Sequence, residues 1–403
     1  MKWSLIFILP FLLIPIFAKA QHIQGQIIDA KTEKPIPFAS VYFNHTTHGT
    51  GADENGRFQI KADTASTSLI FQAVGYRPKA VDVNCKEDTI INVSLSVNIR
   101  TLDAVTVIGE KKRLSRQYLS TFKNDFIGNP KNKLVRKCEL LNPEALSFEF
   151  DQETQTLRAF ADSTLHIRNH ALGYDMDIKL TSFERAGVGQ SAQYLFKYYS
   201  KFREIEWKAK SKKRSQALLE REKVYYGSSM HFFRALGSGT AEKEGFSVYR
   251  AQLVPNPNRP PDSILLHQTR EVDQEIRRLR TQDGVRLKLL QAQNKKNNLL
   301  RKSAWPKVLV KAEKQPFSSA SLLSDFQELR FTGYIVVHYV SPFSEIEKYA
   351  MITIPSGKSL LLLESGHLIG ADLLEVNGDW AHMKAATFLP FDYTPPFFSE
   401  LTP

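Results

Sequence analysis

The sequence predicts two unlike parts, an N-terminal all-β Greek-key sandwich followed by a larger α+β region. Short alternating runs of apolar and polar residues, separated by turn-forming clusters, fill residues 21–108. Beyond them, strand-like runs are interspersed with long charged stretches of helical pattern. With 403 residues, 42% of them hydrophobic, the chain is long enough for two or three domains with their own cores.

The first 20 residues predict export. Lys2 gives a short positive start, an apolar run of about 13 residues extends from Leu5 to Phe17, and alanines on either side of Lys19 form an A-x-A cleavage site. The run is shorter than the roughly 20 residues that span a bilayer, and two prolines interrupt it. We therefore expect cleavage near Ala20 and a periplasmic or outer-membrane-associated mature chain. An uncleaved membrane anchor is the alternative.

In the sandwich, the predicted strands are His22–Ile28, Ser40–Phe43, Phe58–Lys61, Leu69–Ala73, Ala80–Val83 and Thr89–Leu95. Asn55 and Gly56 tolerate positive φ, so the segment 53–56 is predicted to form a tight hairpin turn. Gly75 predicts a second turn, after which Tyr76 lays its ring over the end of the sandwich.

Several motifs in this region carry a family resemblance. They are Pro35-Ile36-Pro37-Phe38-Ala39-Ser40-Val41, Gly51-Ala52-Asp53-Glu54-Asn55-Gly56-Arg57-Phe58, Leu69 to Arg77 with Gly75-Tyr76, and Val93-Ser94-Leu95. Together they resemble the carboxypeptidase-like regulatory domain, a transthyretin-like sandwich common in exported Gram-negative proteins. The resemblance covers about a fifth of the chain, residues 21–108. It implies an accessory sandwich without catalytic residues.

In many proteins with this domain, the sandwich precedes a TonB-dependent outer-membrane transporter. The segment Leu102 to Gly109 is similar to the linker that leads into such a transporter. Only 294 residues (403 minus 109) follow Gly109, however, and they include polar helical patterns. A plug and a large barrel need more chain, so we do not expect a transporter.

The remaining chain is predicted as a basic linker at 109–138 with one helix, then an α+β region at 139–403 with a possible boundary near the prolines of 255–261. Its first strands are expected to form a meander. The basic stretch Lys208 to Lys223 is expected to be an exposed helix. The segment Gly227-Ser228-Ser229 is predicted to supply the N-cap of a short apolar helix, Met230 to Leu236, which Gly237 ends. Glu271 to Lys302 has a helical pattern broken near Gly284.

Charge and cysteine content limit the partners. The formal net charge is +12, and loss of the two lysines of the signal segment leaves +10. Export separates the chain from nucleic acid, so anionic lipid or glycan is the expected partner of the basic residues Lys208, Lys210, Lys212, Lys213 and Arg214. With only Cys85 and Cys138, a disulfide scaffold or multi-cysteine zinc site is excluded. Two separate thiols are favoured over one bridge.

No catalytic motif is found. None of the ten histidines has H-x-x-E or H-E-x-x-H spacing, which excludes the metallocarboxypeptidase pattern, and no G-x-S-x-G occurs. The sequence Ser356-Gly357-Lys358-Ser359 lacks the first glycine of a phosphate-binding loop, so a turn between strands is favoured over nucleotide binding. We therefore assign no catalytic, cofactor-binding or metal-binding residue and expect no cofactor.

Some polar side chains have two interpretations. His45 and His48 could clip a metal, but solvated histidines are favoured. His231 is interpreted as a core histidine bonded to backbone rather than a general base. Asp53 and Asn55 resemble part of a calcium loop, but the turn explains them. Seven aromatic residues are interpreted as core or rim residues rather than a glycan groove: Tyr198, Tyr199, Trp207, Tyr225, Tyr226, Trp305 and Trp380.

The sequence thus favours an exported binding or assembly module of the cell envelope without catalytic activity of its own. An envelope protein is the expected partner, contacted by the loops or by an edge strand of the sandwich. The alternative is an envelope hydrolase acting on glycan or peptide, with its site in residues 139–403.

Overall fold

The computed structural model describes residues 21–62, 68–83, 88–98, 109–187, 193–208, 211–282, 285–303, 306–324, 327–342, 344–363 and 365–396. The predicted signal segment and Cys85 lie outside them. The chain divides into two compact units. The first comprises Met1–Tyr226, Glu364–His367 and His382–Pro403, and the second comprises Gly227–Leu363 and Leu368–Ala381. The possible boundary near 255–261 lies inside the second unit. Among the described residues, no helix is both long and apolar enough to cross a membrane.

The first unit begins with the expected β-sandwich. Its strands are β1 His22–Asp29, β2 Ser40–Phe43, β3 Gly49–Gly51, β4 Arg57–Lys61, β5 Ser68–Gln72, β6 Lys79–Asp82, β7 Thr89–Ile90 and β8 Val93–Leu95. One sheet has the order β4-β1-β7, with β8 also paired to β1, and the other has the order β3-β2-β5-β6. Alternation in β4 sends Phe58 and Ile60 into the core and leaves Arg57, Gln59 and Lys61 exposed. In that core, Phe58 meets Phe71 edge-on at 5.3 Å between ring centroids.

The turn at 53–56 forms as predicted, but the hairpin prediction is wrong. Gly56 adopts φ +68°, and the Asp53 carboxylate accepts the backbone N–H groups of Asn55 and Arg57, each at 2.8 Å. The strands on either side do not pair, however, because β3 joins β2 and β4 joins β1. The turn therefore carries the chain from one sheet of the sandwich to the other.

The segment predicted as a linker contains the expected helix and also contributes to a core. Helix α1, Gly109–Phe122, continues into a π-helical turn, Lys123–Ile127. Phe122 and Phe126 are buried and stack at 5.2 Å. Two apolar rings four residues apart share one helix face, which is why this otherwise polar segment packs.

A six-stranded sheet follows. Its strands are β9 Cys138–Leu140, β10 Leu146–Asp151, β11 Thr156–Ala161, β12 Leu165–Asn169, β13 Tyr174–Ala186 and β14 Gln193–Glu204, in the order β10-β11-β13-β12-β9, with β14 paired to β13. The expected meander is interrupted because β11 pairs with the far end of β13 rather than with β12. Gly173, just before β13, adopts φ +71°.

Helix α2, Lys212–Tyr225, is not the fully exposed helix that its charge predicted. One face buries Ala217, Glu220, Arg221 and Tyr225. Arg221 lies 3.9 Å above the Tyr174 ring and donates to the Leu172 carbonyl at 2.6 Å. The charged side chain is thus part of the packed face, since its hydrogen bonds and cation–π contact replace water.

The second unit is built on a five-stranded sheet. Its helices are α3 Ser229–Gly237, α4 Asp262–Arg280 and α5 Arg286–Ser303. Strand β15, Phe246–Pro255, lies between α3 and α4. The strands after α5 are β16 Val308–Ala312, β17 Glu328–Leu329, β18 Tyr334–Val340, β19 Glu347–Thr353, β20 Leu360–Leu362, β21 Leu368–Ile369 and β22 Glu375–Gly378. The large sheet has the order β16-β15-β18-β19-β22, and β17-β20-β21 form a small one. The N-cap predicted within segment 227–229 is Ser228, which accepts the backbone N–H of His231.

Short 3₁₀ turns occur at Val135–Lys137, Pro143–Ala145, Ser319–Leu322, Ala371–Leu373, Asp379–His382 and Ala385–Thr387. The predicted turn at Ser356–Gly357 forms with φ +76° at the glycine, and the helical pattern of 271–302 breaks into two helices as expected.

Candidate interaction surface

Two large apolar side chains are exposed together at one end of the sandwich. Phe38 is 72% exposed and Val74 is fully exposed. Strands β2 and β5 are antiparallel, with Ser40 opposite Gln72. Phe38 and Val74 lie two residues beyond that pair on the two strands, so the register brings them to the same end of the sheet. We call the pair the apolar end.

Phe38 is held out by an unusual backbone. Its φ is +56°, in the left-handed region that bulky side chains rarely adopt. Its N–H points to the Asp53 carbonyl at 3.4 Å, and the next residue, Ala39, is buried and accepts the Ala52 N–H at 2.8 Å. The backbone must turn sharply to bury Ala39, and the aromatic ring is left outside.

The chain around the apolar end is fixed by Asp29, the last residue of β1. Its carboxylate accepts the N–H groups of Lys31 and Thr32, at 2.8 and 2.7 Å, and the Tyr76 hydroxyl at 2.9 Å. Hydrogen bonds to the charged form, first from Thr32 and Lys31, lower the pKa of Asp29 to about 2. The network ties the turn after β1 to the turn that carries Val74. The apolar end is therefore preorganised.

The opposite end of the sandwich is attached to the six-stranded sheet. The His45 N–H donates to the Ser200 carbonyl at 2.8 Å, and the Phe202 N–H donates to the Thr46 carbonyl at 2.9 Å. The Phe391 N–H, from the C-terminal segment, donates to the His45 carbonyl at 2.7 Å. These backbone bonds fix loop 44–48.

The expectation of a solvated His45 is wrong. Its ring meets Tyr198 and Phe391 edge-on, each at 5.2 Å, and its Nδ1 lies 2.7 Å from the Ser200 hydroxyl. Burial, with a smaller contribution from His367, lowers the pKa of His45 to about 3. Ser200 is wholly buried, so this serine–histidine pair is a packing contact and has no room for a substrate.

His48 is more exposed, and its Nε2 lies 3.6 Å from the Asp392 carboxylate. The same carboxylate accepts the Thr47 N–H at 3.0 Å. Across the described residues, no three His, Cys, Asp or Glu side chains come close enough together to hold a metal ion. His45 and His48 thus serve loop packing where the structure describes them.

His231 lies in the core of the second unit, as the sequence indicated. Its Nδ1 accepts the Gly227 N–H at 3.0 Å, and its Nε2 lies 2.7 Å from the Glu244 carboxylate. The ring also packs against Phe246 and Tyr339. Since Nδ1 accepts a backbone hydrogen, the proton is on Nε2 and points to Glu244. No lone pair is left for a general base.

A groove of about 680 Å³ lies along α1 and its π-helical turn. Its wall includes Asp125 and Arg185, whose charged atoms are 2.8 Å apart. It also includes Cys138, whose thiol pKa is raised to about 12 by burial and which has no disulfide partner within the described ranges. A neutral thiol and a mutually compensated charge pair offer no activated nucleophile.

The other candidate residues are dispersed. Lys208, Lys212, Lys213 and Arg214 are exposed, and Lys210 lies outside the described residues. Tyr198 stacks on Phe388, and Tyr225 packs against Tyr226 and Tyr393. Trp380 is buried against Phe232 and Phe233, and Tyr199 and Trp207 are half-buried. Trp305 is not among the described residues. The described aromatics are core or rim residues, as predicted.

Sequence reasoning did not identify the apolar end. Phe38 occurs within a family motif, but an aromatic residue gives no signal of positive φ, unlike glycine or asparagine. Val74 lies between the predicted strand, which ends at Ala73, and the turn glycine Gly75, and this position does not indicate how exposed its side chain is. In β5 the consecutive residues Leu69, Ile70 and Phe71 are all buried, so no alternating pattern along the strand predicts that Val74 is exposed.

Comparison with known proteins agrees with the sandwich. Residues 23–107 match the family model of the CarboxypepD_reg-like domain. The TonB-dependent receptor SusC of Bacteroides thetaiotaomicron is 32% identical over 119 residues, which are 30% of this chain and 10% of the receptor. A TonB-dependent receptor of Formosa agariphila is 31% identical over 81 residues, 20% of this chain and 8% of the receptor. The chain therefore spans about a tenth of the length of these curated relatives.

A solved structure of a protein of unknown function from Bacteroides fragilis aligns over 84% of this chain and 92% of its own, at 13% identity. Its TM-score is 0.16, too low to indicate a shared arrangement. Residues 23–107 therefore form a CarboxypepD_reg-like β-sandwich, and segments of 119 and 81 residues are similar to parts of TonB-dependent receptors.

Proposed function

We propose that this chain is an exported module of the cell envelope that binds a protein partner through the apolar end of its sandwich and has no catalytic activity of its own. The observation that carries the proposal is the joint exposure of Phe38 and Val74 on a preorganised end. Contiguous apolar patches on a folded surface commonly mark protein contacts, and the register of β2 and β5 places these two side chains at one end of the sheet. The related TonB-dependent receptors support a role at the envelope.

The predicted signal segment supports export. Cleavage near Ala20 would leave β1 almost at the new N-terminus, since it begins at His22. The mature chain would then act in the periplasm or at the outer membrane. This location excludes nucleic acid as a partner and makes another envelope protein the natural one.

The apolar end suits a partner with an apolar pocket. The Asp29 network fixes the turn that carries Val74, and the hydrogen bonds of Ala39 fix the backbone beside Phe38, so little backbone freedom is lost on docking. An edge-strand contact through β6 is less suitable. That strand has four residues, with Lys79 exposed at its start, and short charged edges resist added strands. The loops are therefore the favoured contact.

The experiment is photo-cross-linking in intact cells. A photoreactive amino acid replaces Val74 in the full-length tagged chain. The matched control carries the same amino acid at Ile90 on β7, which is 72% exposed, as Phe38 is. Ile90 pairs with Gln24 near the start of β1, far along that strand from Asp29. We expect one dominant adduct from position 74, identified by mass, and little from position 90.

A second variant, Phe38→Ser in the chain labelled at position 74, should remove that adduct if the two side chains act together. Circular dichroism would confirm that the variant is folded. No adduct at position 74, or equal adducts at both positions, would refute the proposal. Turnover of a peptide or glycan by the purified mature chain would instead support a hydrolase.

A further inference from the structure

Helices α4 and α5 form a hairpin inserted between two paired strands. β15 and β16 are antiparallel with Pro255 opposite Val308, and the Asn256 N–H donates to the Lys307 carbonyl at 2.9 Å. The two helices pack on each other through their own small core: Leu265, Val272, Ile276, Leu279, Leu289, Ala292 and Leu299. Across the described residues, no other helix or strand packs extensively on either helix. A helix of 19 residues is about 28 Å long, so the far end is well removed from the sheet.

The far end of this hairpin is strongly basic. Arg277, Arg278 and Arg280 lie in the last turn of α4, and Arg286 and Lys288 lie at the start of α5, all exposed. The α4 cations suit the negative end of their helix dipole, but those at the start of α5 face a positive end. Arg286 and Lys288 therefore do not stabilise the helix that carries them. We call these five residues the basic tip.

Two apolar side chains accompany the basic tip. Leu287 is 69% exposed and Leu290 is 53% exposed. They are three residues apart on α5 and so share one face of the helix. The partly buried Leu289 and the buried Ala292 lie on the other side, in the hairpin core. The tip thus combines exposed cations with exposed leucines.

We infer that the basic tip of the α4–α5 hairpin docks on an anionic phospholipid bilayer. Lysine and arginine side chains reach anionic headgroups while adjacent leucines enter the interface, which is the usual chemistry of helices that lie on membranes. Near an anionic surface, each basic residue changes the partition coefficient roughly five-fold. This attachment is separate from the apolar end and does not depend on the partner proposed above.

The test uses the mature full-length chain and sedimentation with vesicles. Phosphatidylcholine vesicles with and without phosphatidylglycerol are compared at low and at physiological salt. We expect binding only to the anionic vesicles, weakening steeply with salt. The triple variant Arg277→Gln, Arg278→Gln and Arg280→Gln should bind roughly 100-fold more weakly, from three factors of about five.

A charge-matched control separates this surface from the other basic region. Lys212→Gln, Lys213→Gln and Arg214→Gln remove the same charge from α2 and should leave vesicle binding within about two-fold of the parent chain, because they lie outside the tip. The pair Leu287→Ser and Leu290→Ser should weaken binding without changing its salt dependence. All six charged positions are exposed, so the variants should fold.

Three results would overturn the inference. The first is that the parent chain does not bind anionic vesicles. The second is that the tip and α2 variants lose vesicle binding equally, and the third is that only the α2 variant loses it. Sedimentation equilibrium without lipid tests the remaining alternative, that a second copy of the chain covers the tip. If the parent chain is a dimer that the leucine substitutions dissociate, a second copy covers the tip and the lipid inference fails.

Discussion

The Nε2 of His231 and the Glu244 carboxylate are joined by a 2.7 Å hydrogen bond inside the second unit. The proton lies on Nε2 because Nδ1, on the other side of the ring, accepts a backbone N–H. Gly227 supplies that contact, and its positive φ of +70° brings its N–H to Nδ1. The imidazole links the start of α3 to residue 244, just before β15. It is a structural crosslink of the core.

Replacement of His231 by Phe should therefore destabilise the second unit by roughly 3 kcal/mol, because the Gly227 N–H and the Glu244 carboxylate lose a buried partner. Chemical denaturation followed by tryptophan fluorescence measures the change, since Trp380 is buried in this unit. Lys243→Gln, an exposed position next to Glu244, is the control and should be nearly neutral. An unchanged midpoint for His231→Phe would contradict the crosslink.

The same histidine predicts a pH effect. Burial lowers the pKa of His231 below 6.5, although Glu244 opposes the shift. The unfolded chain therefore binds a proton more readily than the folded unit, and stability falls as the pH drops below about 6.5. Thermal melts across this range should show a decline that is smaller in the Phe variant. A melting temperature that rises on acidification would contradict this prediction.

Asp29 predicts acid sensitivity of the sandwich at lower pH. Because hydrogen bonds lower its pKa from 3.8 to about 2, its stabilising contribution is present above pH 4 and is lost as the pH falls from about 4 towards 2. Asp29→Asn should flatten the melting temperature over that interval. Asp53→Asn, at the other turn, is the comparison variant. Equal pH profiles for the parent chain and Asp29→Asn would refute the assignment.

Phe38→Asn should make the sandwich more stable while weakening the proposed partner contact. Asparagine tolerates φ near +56°, and the lost ring is mostly exposed, so roughly 1 kcal/mol of backbone strain is relieved. Urea denaturation tests the first part and cross-linking from position 74 tests the second. A destabilised variant would show that the ring contributes to packing.

Gly56→Ala should destabilise the sandwich by about 2 kcal/mol or more. Its φ is +68°, and an added Cβ would lie 2.5 Å from the Ile27 carbonyl oxygen. Gly51→Ala has open space around the added carbon and serves as the control. Equal stability of the two variants would argue against the close approach at residue 56.

Local rules predicted the elements whose cause is local. An N-cap within segment 227–229 is predictable because a capping hydroxyl meets an N–H only three residues on, and the turn at Gly75 is predictable because it depends on the φ of that residue. His45 and Phe126 could not be placed this way. Their partners include Phe391 and Phe388, more than 250 positions along the chain, and no periodicity near either residue reports those contacts.

The interaction surfaces also could not be predicted from local sequence patterns. Charge composition drew attention to α2, where Arg221 and Glu220 are used in packing, but it did not single out the exposed cations at the far end of the α4–α5 hairpin. Exposure of Phe38 follows from a backbone turn that the residue type does not encode. Pattern analysis identified the sandwich but not the side chains that it leaves exposed.

The position of the α4–α5 hairpin has a practical consequence. Since Pro255 and Val308 are directly paired, everything from 256 to 307 is, in topological terms, the loop of a single β-hairpin. A two-residue Asn-Gly turn can close such a hairpin. The segment is therefore a natural cassette. It can be excised, or transplanted onto another strand pair, with the register of β15 and β16 unchanged.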